Sequence, residues 1–298
     1  MSILQEQTVF ILGAGASKPF GFPLGPELKS TMLDRANDGT TRRRLQSLGF
    51  EESHIIALRD ALQYGAHPTV DIFLEKKSNF RKLGSYLIAS AIIPLENHSL
   101  LFPQKDWYGH LFDVLGFEFE EPDASLLKVV TLNYDRSFEH FMWKNIDYNC
   151  QHDRVQFAHA KREKIQVVHA HGSLGSYPDV PYGVQRADVD ALSKAAESIK
   201  IVSDRLDESP AFCEAQAIIA QSEHIVFLGF GYNEDTLSSL LAKAELENKQ
   251  VYGTAMGLGS RTGWVREFFH DNVDLGEDNR DCDSFLQSIG IFPTNPST

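Results

Sequence analysis

The sequence predicts an α/β protein: a parallel sheet with helices on both faces, interrupted by a helical insertion. Three observations carry this. Short β-branched runs at 8–12, 128–132, 165–170, 225–228 and 251–255 are nearly continuous in apolar character, as expected of strands covered on both sides. Longer stretches of helical periodicity separate them. Most runs end in a small or polar residue, namely Gly13, Asn133, His171 and Gly229. In open α/β sheets, ligands bind beyond the carboxyl ends of the strands.

The interval 13–127 between the first two runs is far longer than one crossover requires. It reads helical at 27–36, 53–63, 70–93 and 107–115. This predicts a helical insertion subdomain over residues 25–120, inside a single domain spanning 1–298. The segment 172–188 combines Gly, Pro and Tyr and reads as a long loop, a lid or rim over the sheet. Helices follow at 188–199, 211–221 and 235–247. The last places Leu237, Leu240, Leu241 and Ala244 on one face, which is core packing. The tail beyond Phe292 is expected to fray.

Composition narrows the function classes. With 42% apolar and 23% charged residues, the chain is an ordinary globular protein and global disorder is excluded. Lys and Arg number 28 against 41 Asp and Glu, a net charge of −13. That balance disfavours direct nucleic-acid binding. The three cysteines, Cys150, Cys213 and Cys282, form no CxxC pair, so neither a structural zinc nor a disulfide framework is expected. The first residues carry no basic, apolar leader pattern. No apolar run approaches the roughly 20 residues of a membrane helix. A soluble, cytoplasmic protein is expected.

Chemistry is sought at the strand ends. Gly13-Ala14-Gly15-Ala16-Ser17 directly follows the first run. Glycines there permit a tight turn and close backbone approach to a phosphate, and the N–H groups at a helix start favour its charge. The full G-x-G-x-x-G fingerprint is absent, because position 18 is Lys. Phosphate binding by a nucleotide or dinucleotide stands beside a turn that needs glycine only for packing. At Thr131-Leu132-Asn133-Tyr134-Asp135, Asn133 and Asp135 share a face if the strand continues. An amide and a carboxylate there can orient ribose hydroxyls and a water; alternatively Asp135 caps a helix from Arg136. His169 and His171 alternate on the third run, but no further ligand cluster stands out beyond His152 and His159, and no metal is expected. His169, inside the run, reads as structural. His171, at the strand end before Gly172 and Ser173, reads as the acid/base group, since its reference pKa near 6.5 suits proton transfer. Leu228-Gly229-Phe230-Gly231-Tyr232 lets a ligand approach the backbone, or is a plain turn. There is no Walker A loop and no G-x-S-x-G elbow, and nothing places Cys150 at a strand end.

Taken in order, GAGAS, TLNYD, HAHGS and LGFGY resemble the SIR2 family, whose NAD-binding fold is Rossmann-like, from Val9 to Ala255. The resemblance implies that Gly13, Ala14, Gly15 and Ser17 receive the NAD+ diphosphate. It implies that Asn133 and Asp135 hold the nicotinamide ribose and its water, with His171 as base. Gly229, Gly231 and Tyr232 would complete the cofactor side. Family deacylases carry a zinc ribbon with two CxxC pairs and G-I-P-D-F-R after the glycine loop. This chain has neither, reading Gly21-Phe22-Pro23-Leu24-Gly25-Pro26, which weighs against acyl-lysine chemistry. The insertion and the stretch Val70-Asp71-Ile72-Phe73-Leu74 are similar instead to the bacterial SIR2-like proteins of antiviral defence. That likeness implies an NAD+ glycohydrolase acting in antiphage abortive infection, with NAD+ as substrate. It implies a homo-oligomer working with a separately encoded HerA-type ATPase or other defence sensor, without nucleic acid or membrane. A deacylase or ADP-ribosyltransferase, and a non-catalytic NAD- or ADP-ribose-binding regulatory module, remain as alternatives.

Overall fold

A computed structural model describes residues 7–67, 69–102, 106–116, 127–149, 155–177, 179–185, 188–201 and 209–291. Six strands form one parallel sheet: β1 (Thr8–Leu12), β2 (Leu127–Thr131), β3 (Ile165–His169), β4 (His224–Leu228), β5 (Gln250–Gly253) and β6 (Val273–Leu275). Their spatial order is β3-β2-β1-β4-β5-β6. This is the Rossmann-like α/β sheet expected from the sequence, and the five apolar runs are five of its strands. The sixth, Val-Asp-Leu at the sheet edge, is too short to make a run.

Helices surround the sheet. Between β1 and β2 lie α1 (Ala14–Ser17), α2 (Gly25–Asn37), α3 (Gly39–Ser47), α4 (Glu52–Tyr64), α5 (Val70–Lys76), α6 (Arg81–Ile92), α7 (His98–Leu101) and α8 (Trp107–Leu115). Next come α9 (Ser137–Asn149) and α10 (Val155–Arg162) before β3, then α11 (Val189–Ser198) and α12 (Pro210–Gln221) before β4. The chain closes with α13 (Glu234–Leu241), α14 (Arg261–Phe268) and α15 (Cys282–Ser288). Among the described residues, no helix is long and apolar enough to cross a membrane. The expected tail beyond Phe292, the end of the 25–120 insertion, and Cys150 and His152 fall outside the described residues.

Side-chain alternation along the strands divides the core in two. Phe10, Leu12, Val129, Val226 and Leu228 face one way, into an apolar cluster shared with the helices of the insertion, α9 and α11. Val9, Ile11, Val130, Ile225 and Phe227 face the other way, onto α12, α13 and α14. Among the described residues, the insertion therefore packs on one face of the sheet.

The single helix expected over 70–93 is two. Thr69 caps the first through its Oγ1, which accepts from the Ile72 N–H (3.3 Å). Lys77 leaves helical geometry at φ −118° and ψ 67°. The Arg81 guanidinium then donates to the Leu74 and Glu75 carbonyls at 3.2 and 2.9 Å, satisfying groups that the end of α5 leaves open. The polar α3, with three consecutive arginines, has no apolar stripe to reveal it. It starts on Asp38, whose carboxylate accepts from the Thr41 N–H at 2.8 Å, as a helix cap does.

At the carboxyl edge, hydrogen bonds between the loops continue the ladders. The Gly13 N–H donates to the Leu228 carbonyl, Leu132 to Leu12, and Ala170 to Thr131, at 2.9–3.0 Å. Beyond β1 and β4 the two chains touch backbone to backbone. A Cβ on Gly13 would stand 2.6 Å from the Gly229 oxygen, and one on Gly15 would stand 2.7 Å from the Gly229 Cα. Gly229 itself has φ +57°, and a Cβ there would meet the Ala16 nitrogen at 2.0 Å.

Gly229→Ala should therefore destabilise the fold by about 2–4 kcal/mol, from overpacking plus a left-handed backbone. Gly231→Ala, with open space around it, should stay within about 0.5 kcal/mol. Denaturant melts of the two variants check this; equal stability would contradict the close-contact account.

Candidate functional site

The loop after β2 is tied to the loop after β1 by one side chain. Asn133 Nδ2 donates to the Gly13 carbonyl and to Ser17 Oγ, both at 3.0 Å. With both contacts made by the amide nitrogen, Oδ1 remains an acceptor, and no donor among the described residues reaches it. The Asn133 N–H donates to Thr131 Oγ1 at 3.1 Å, which bends the chain out of the strand.

Asp135 is buried beneath that loop. Its Oδ1 accepts from the Ser137 N–H at 3.1 Å and from Ser17 Oγ at 3.3 Å, and also from Ser137 Oγ. Burial pushes its carboxyl above the ordinary value, against the bonds from Ser137 and Ser17. Its position two residues before Ser137 makes it the cap at the start of α9. The Ser137 hydroxyl also meets Tyr108 Oη at 2.9 Å, and Trp107 Nε1 donates to the Ala16 carbonyl at 3.0 Å. Helix α8 thus braces the glycine turn from behind.

The two histidines of β3 part company. His169 bridges the Asn133 carbonyl through Nδ1 and Glu139 Oε1 through Nε2, each at 2.9 Å. Burial works against its protonation, but Glu139 and the Asn133 carbonyl outweigh it, and the pKa is raised. His171 lies just past the strand, only 6% exposed. Its Nε2 is buried and without a hydrogen-bond partner. Burial lowers its pKa, opposed by the Asp71 carboxylate, so the imidazole is neutral near pH 7.

In the glycine turn, the Gly15 N–H donates to the Gly229 carbonyl and the Ala16 N–H to the Gly13 carbonyl, at 2.9 and 3.0 Å. Most of its amides are thus engaged inside the protein. Among the described residues, no protein acceptor meets the Ala14 N–H. Lys18, where the glycine fingerprint would have its third Gly, turns outward to Glu27 at 2.5 Å. Gly231 has open space about its Cα. Tyr232 is buried, with φ +47°; a Cβ on Gly253 would stand 1.9 Å from its hydroxyl, so its ring points under β5.

The expected rim, 172–188, is clamped at its base. Gly172 pairs with Ile199 in an isolated bridge. Arg136 donates through Nη1 to the Gly175 and Val180 carbonyls at 3.0 and 2.7 Å. It meets the fully buried Glu96 through Nε at 3.0 Å and Nη2 at 2.5 Å. Burial pushes the Glu96 carboxyl up, against that guanidinium. Tyr182 of the same loop stacks on His140 at 3.8 Å between ring centroids. Burial lowers the His140 pKa to about 4.

The structure therefore gathers Gly13, Ser17, Asn133 and Asp135 into one contact network and packs Gly229 against it; His169 at the end of β3 joins it through the Asn133 carbonyl, and His171 follows two residues past the strand without a hydrogen bond to it among the described residues. Residues 127–261 match the family model of the SIR2-like domain. The matched segment runs from β2 to the start of α14, covering Asn133, Asp135, His171, Gly229, Gly231 and Tyr232; the Gly13–Ser17 turn precedes it. No curated protein matches the chain. A SIR2-like domain implies NAD binding and is compatible with an NAD-dependent enzyme. The residues present fit a dinucleotide, through the unpartnered His171 Nε2 and the acceptor left on Asn133.

Glu139, Glu96 and Arg136 were not read as site residues from the sequence. Glu139 sits one turn into α9, where an acidic residue is the ordinary dipole partner, and Glu96 lies in a non-repeating turn; nothing local marks either as buried.

The raised His169 pKa carries a pH signature. Its pairing stabilises the fold fully below the unfolded value of about 6.5 and is lost as pH rises through the higher folded value. Urea melts of wild type and His169→Gln should therefore differ most at pH 6 and converge toward pH 9. A gap independent of pH would mean that His169 pairs as a neutral group.

Proposed function

We propose that the chain is an NAD+ glycohydrolase, splitting NAD+ into nicotinamide and ADP-ribose. One observation supports it above the others: a buried, neutral imidazole with an unpartnered Nε2 lies just past β3, and the loop after β2 carries an asparagine that keeps a free side-chain acceptor, both within the segment that matches the SIR2-like domain. A group kept neutral at pH 7 in a dry setting is ready to accept a proton.

In this reading the diphosphate lies at the Gly13–Ser17 turn, with the Ala14 N–H available to it and Gly229 and Gly231 flanking. The bond between nicotinamide nitrogen and ribose C1 breaks, and its electron pair leaves with neutral nicotinamide. Positive charge develops on the ribose as an oxocarbenium-like centre. Asn133 Oδ1 accepts from the attacking water or a ribose hydroxyl. Water adds at C1 and its proton passes to His171. Asp135 supports the ribose side from below by fixing Ser17 and the start of α9. Gly231 leaves room for the ligand, and Tyr232 fills the space beneath.

The biological setting rests on the resemblance of the sequence to defence proteins, an analogy of fold. In it the chain is a cytoplasmic homo-oligomer and the effector of an antiphage abortive-infection system, controlled by a HerA-type ATPase or other separately encoded sensor.

The test follows free nicotinamide and ADP-ribose from NAD+, with and without the product of the neighbouring gene. Equimolar release without any acceptor is expected. His171→Ala should slow it by about 10²–10⁴-fold at unchanged melting temperature. Asn133→Ala should act similarly; it also removes two bonds to the glycine turn, so its melting curve is read alongside. Near-normal turnover in both variants would reject the assignment. Release that requires an acyl-peptide or other acceptor would mark a deacylase or transferase, and tight binding without turnover in any assembly would mark a regulatory module.

A further inference from the structure

Asn133 is held at every polar atom but one. Its N–H donates to Thr131 Oγ1 at 3.1 Å, and its Nδ2 donates to the Gly13 carbonyl and to Ser17 Oγ at 3.0 Å. The Gly13 carbonyl can only accept, so the amide nitrogen must face it, and the direction of Oδ1 follows. Ser17 Oγ gives its own proton to Asp135 Oδ1 at 3.3 Å, which leaves its lone pairs for Asn133. The last group, the Asn133 carbonyl, accepts from His169 Nδ1 at 2.9 Å.

That bond differs from its neighbours. On one side the Leu132 N–H is held by the Leu12 carbonyl, and on the other the Tyr134 carbonyl by the Leu174 N–H, each backbone to backbone at 3.0 Å. The peptide between Asn133 and Tyr134 is anchored at its carbonyl by a side chain instead. The ring that anchors it is itself anchored, because His169 Nε2 meets Glu139 Oε1 at 2.9 Å, and both side chains are largely buried. Glu139 comes from α9, the helix that Asp135 caps through the Ser137 N–H. Carbonyl and carboxylate are both acceptors, so the ring serves the two together by carrying a proton on each nitrogen. Turning the ring away would leave buried acceptors unpaired.

We infer that His169 and Glu139 are positioning residues for the NAD+-cleaving site: Glu139 orients the His169 ring, and the ring's Nδ1–H fixes the peptide after Asn133, so that Asn133 Oδ1 keeps a single direction. This rests on the hydrolase reading above for its catalytic consequence, not for the pairing itself. The logic is that of a carboxylate orienting a histidine in a triad, except that this histidine holds a backbone carbonyl and moves no proton in the reaction. Accurate placement of a water or a ribose hydroxyl depends on such support, since a displacement of about 1 Å can cost about 10²-fold in rate.

The experiment uses the full chain with nitrogen-15-labelled asparagine and histidine. The double variant His169→Leu/Glu139→Leu removes the pair as a unit and leaves no unpaired buried charge. The double variant His169→Asn/Glu139→Leu differs from it by one amide donor close to where Nδ1 stands. Wild type should show a protonated His169 Nδ1 and two distinct proton signals from the Asn133 side-chain amide, assigned with Asn133→Ala. In the leucine pair those amide signals should shift and broaden, and kcat should fall about ten- to a hundredfold with KM little changed. The variant with asparagine at 169 should bring the amide signals back toward wild type and recover most of the lost kcat. Unchanged Asn133 signals in the folded leucine pair overturn the inference, and a loss of kcat alongside them marks a packing role. Equal loss of kcat in both double variants also rejects the donor role. A wild-type ring with Nδ1 unprotonated overturns it without any variant having to fold. If wild type fails to cleave NAD+, the hydrolase reading falls, while the amide and ring spectra still decide whether His169 orients Asn133.

Discussion

Where β1 and β4 leave the sheet, their chains approach so closely that no Cβ fits between them. The strand order 3-2-1-4-5-6 makes this the point where successive connections move to opposite faces, the place where open α/β sheets hold ligands. Gly229 carries a left-handed backbone into the contact, and Gly13 and Gly15 receive it. The contact fixes the Gly13 carbonyl, the carbonyl holds Asn133 Nδ2, and the Asn133 carbonyl holds His169. The loops after β1, β2, β3 and β4 are thereby set against one another through backbone atoms and buried polar side chains. A ligand entering there meets a preformed surface, which keeps the ordering cost of binding low.

That arrangement changes the meaning of the glycines. In a full dinucleotide fingerprint they bring the backbone near a pyrophosphate. Here Gly13 and Gly15 first bring two protein segments near each other, and their amides are largely consumed in doing so. Packing is the role these contacts show for the motif. The acidic character of the surroundings has a similar double use. Asp135 and Glu139 are buried and bonded, so they brace the β2 and β3 loops, while Asp71 accepts from the Tyr134 hydroxyl.

Much of this was legible in the sequence for physical reasons. Parallel strands buried on both sides must be apolar throughout, so all five long runs were visible, whereas Val273–Leu275, with Asp274 exposed at the edge, was not. The structural reading of His169 followed from its place inside a strand, and its ring is bonded to Glu139 and the Asn133 carbonyl. The helix cap at Asp135 was one of two readings that turn chemistry allowed, and the bonds to Ser137 show that it is made. What the sequence did not disclose were long-range pairings. Glu96 with Arg136, Glu139 with His169, and Tyr134 with Asp71 join residues from 30 to 63 positions apart, and no local periodicity encodes them. The break of the 70–93 helix at Lys77 likewise depends on Arg81 reaching back to open carbonyls.

The most direct test of the account is the crystal structure of the His171→Ala protein with NAD+, in which turnover is suppressed. The account places the nicotinamide ribose between Asn133 Oδ1 and the vacated imidazole position, with the diphosphate at the turn containing Ala14. A dinucleotide bound away from the ends of β1, β2 and β3, or one whose ribose faces the opposite side of the glycine turn, would contradict it.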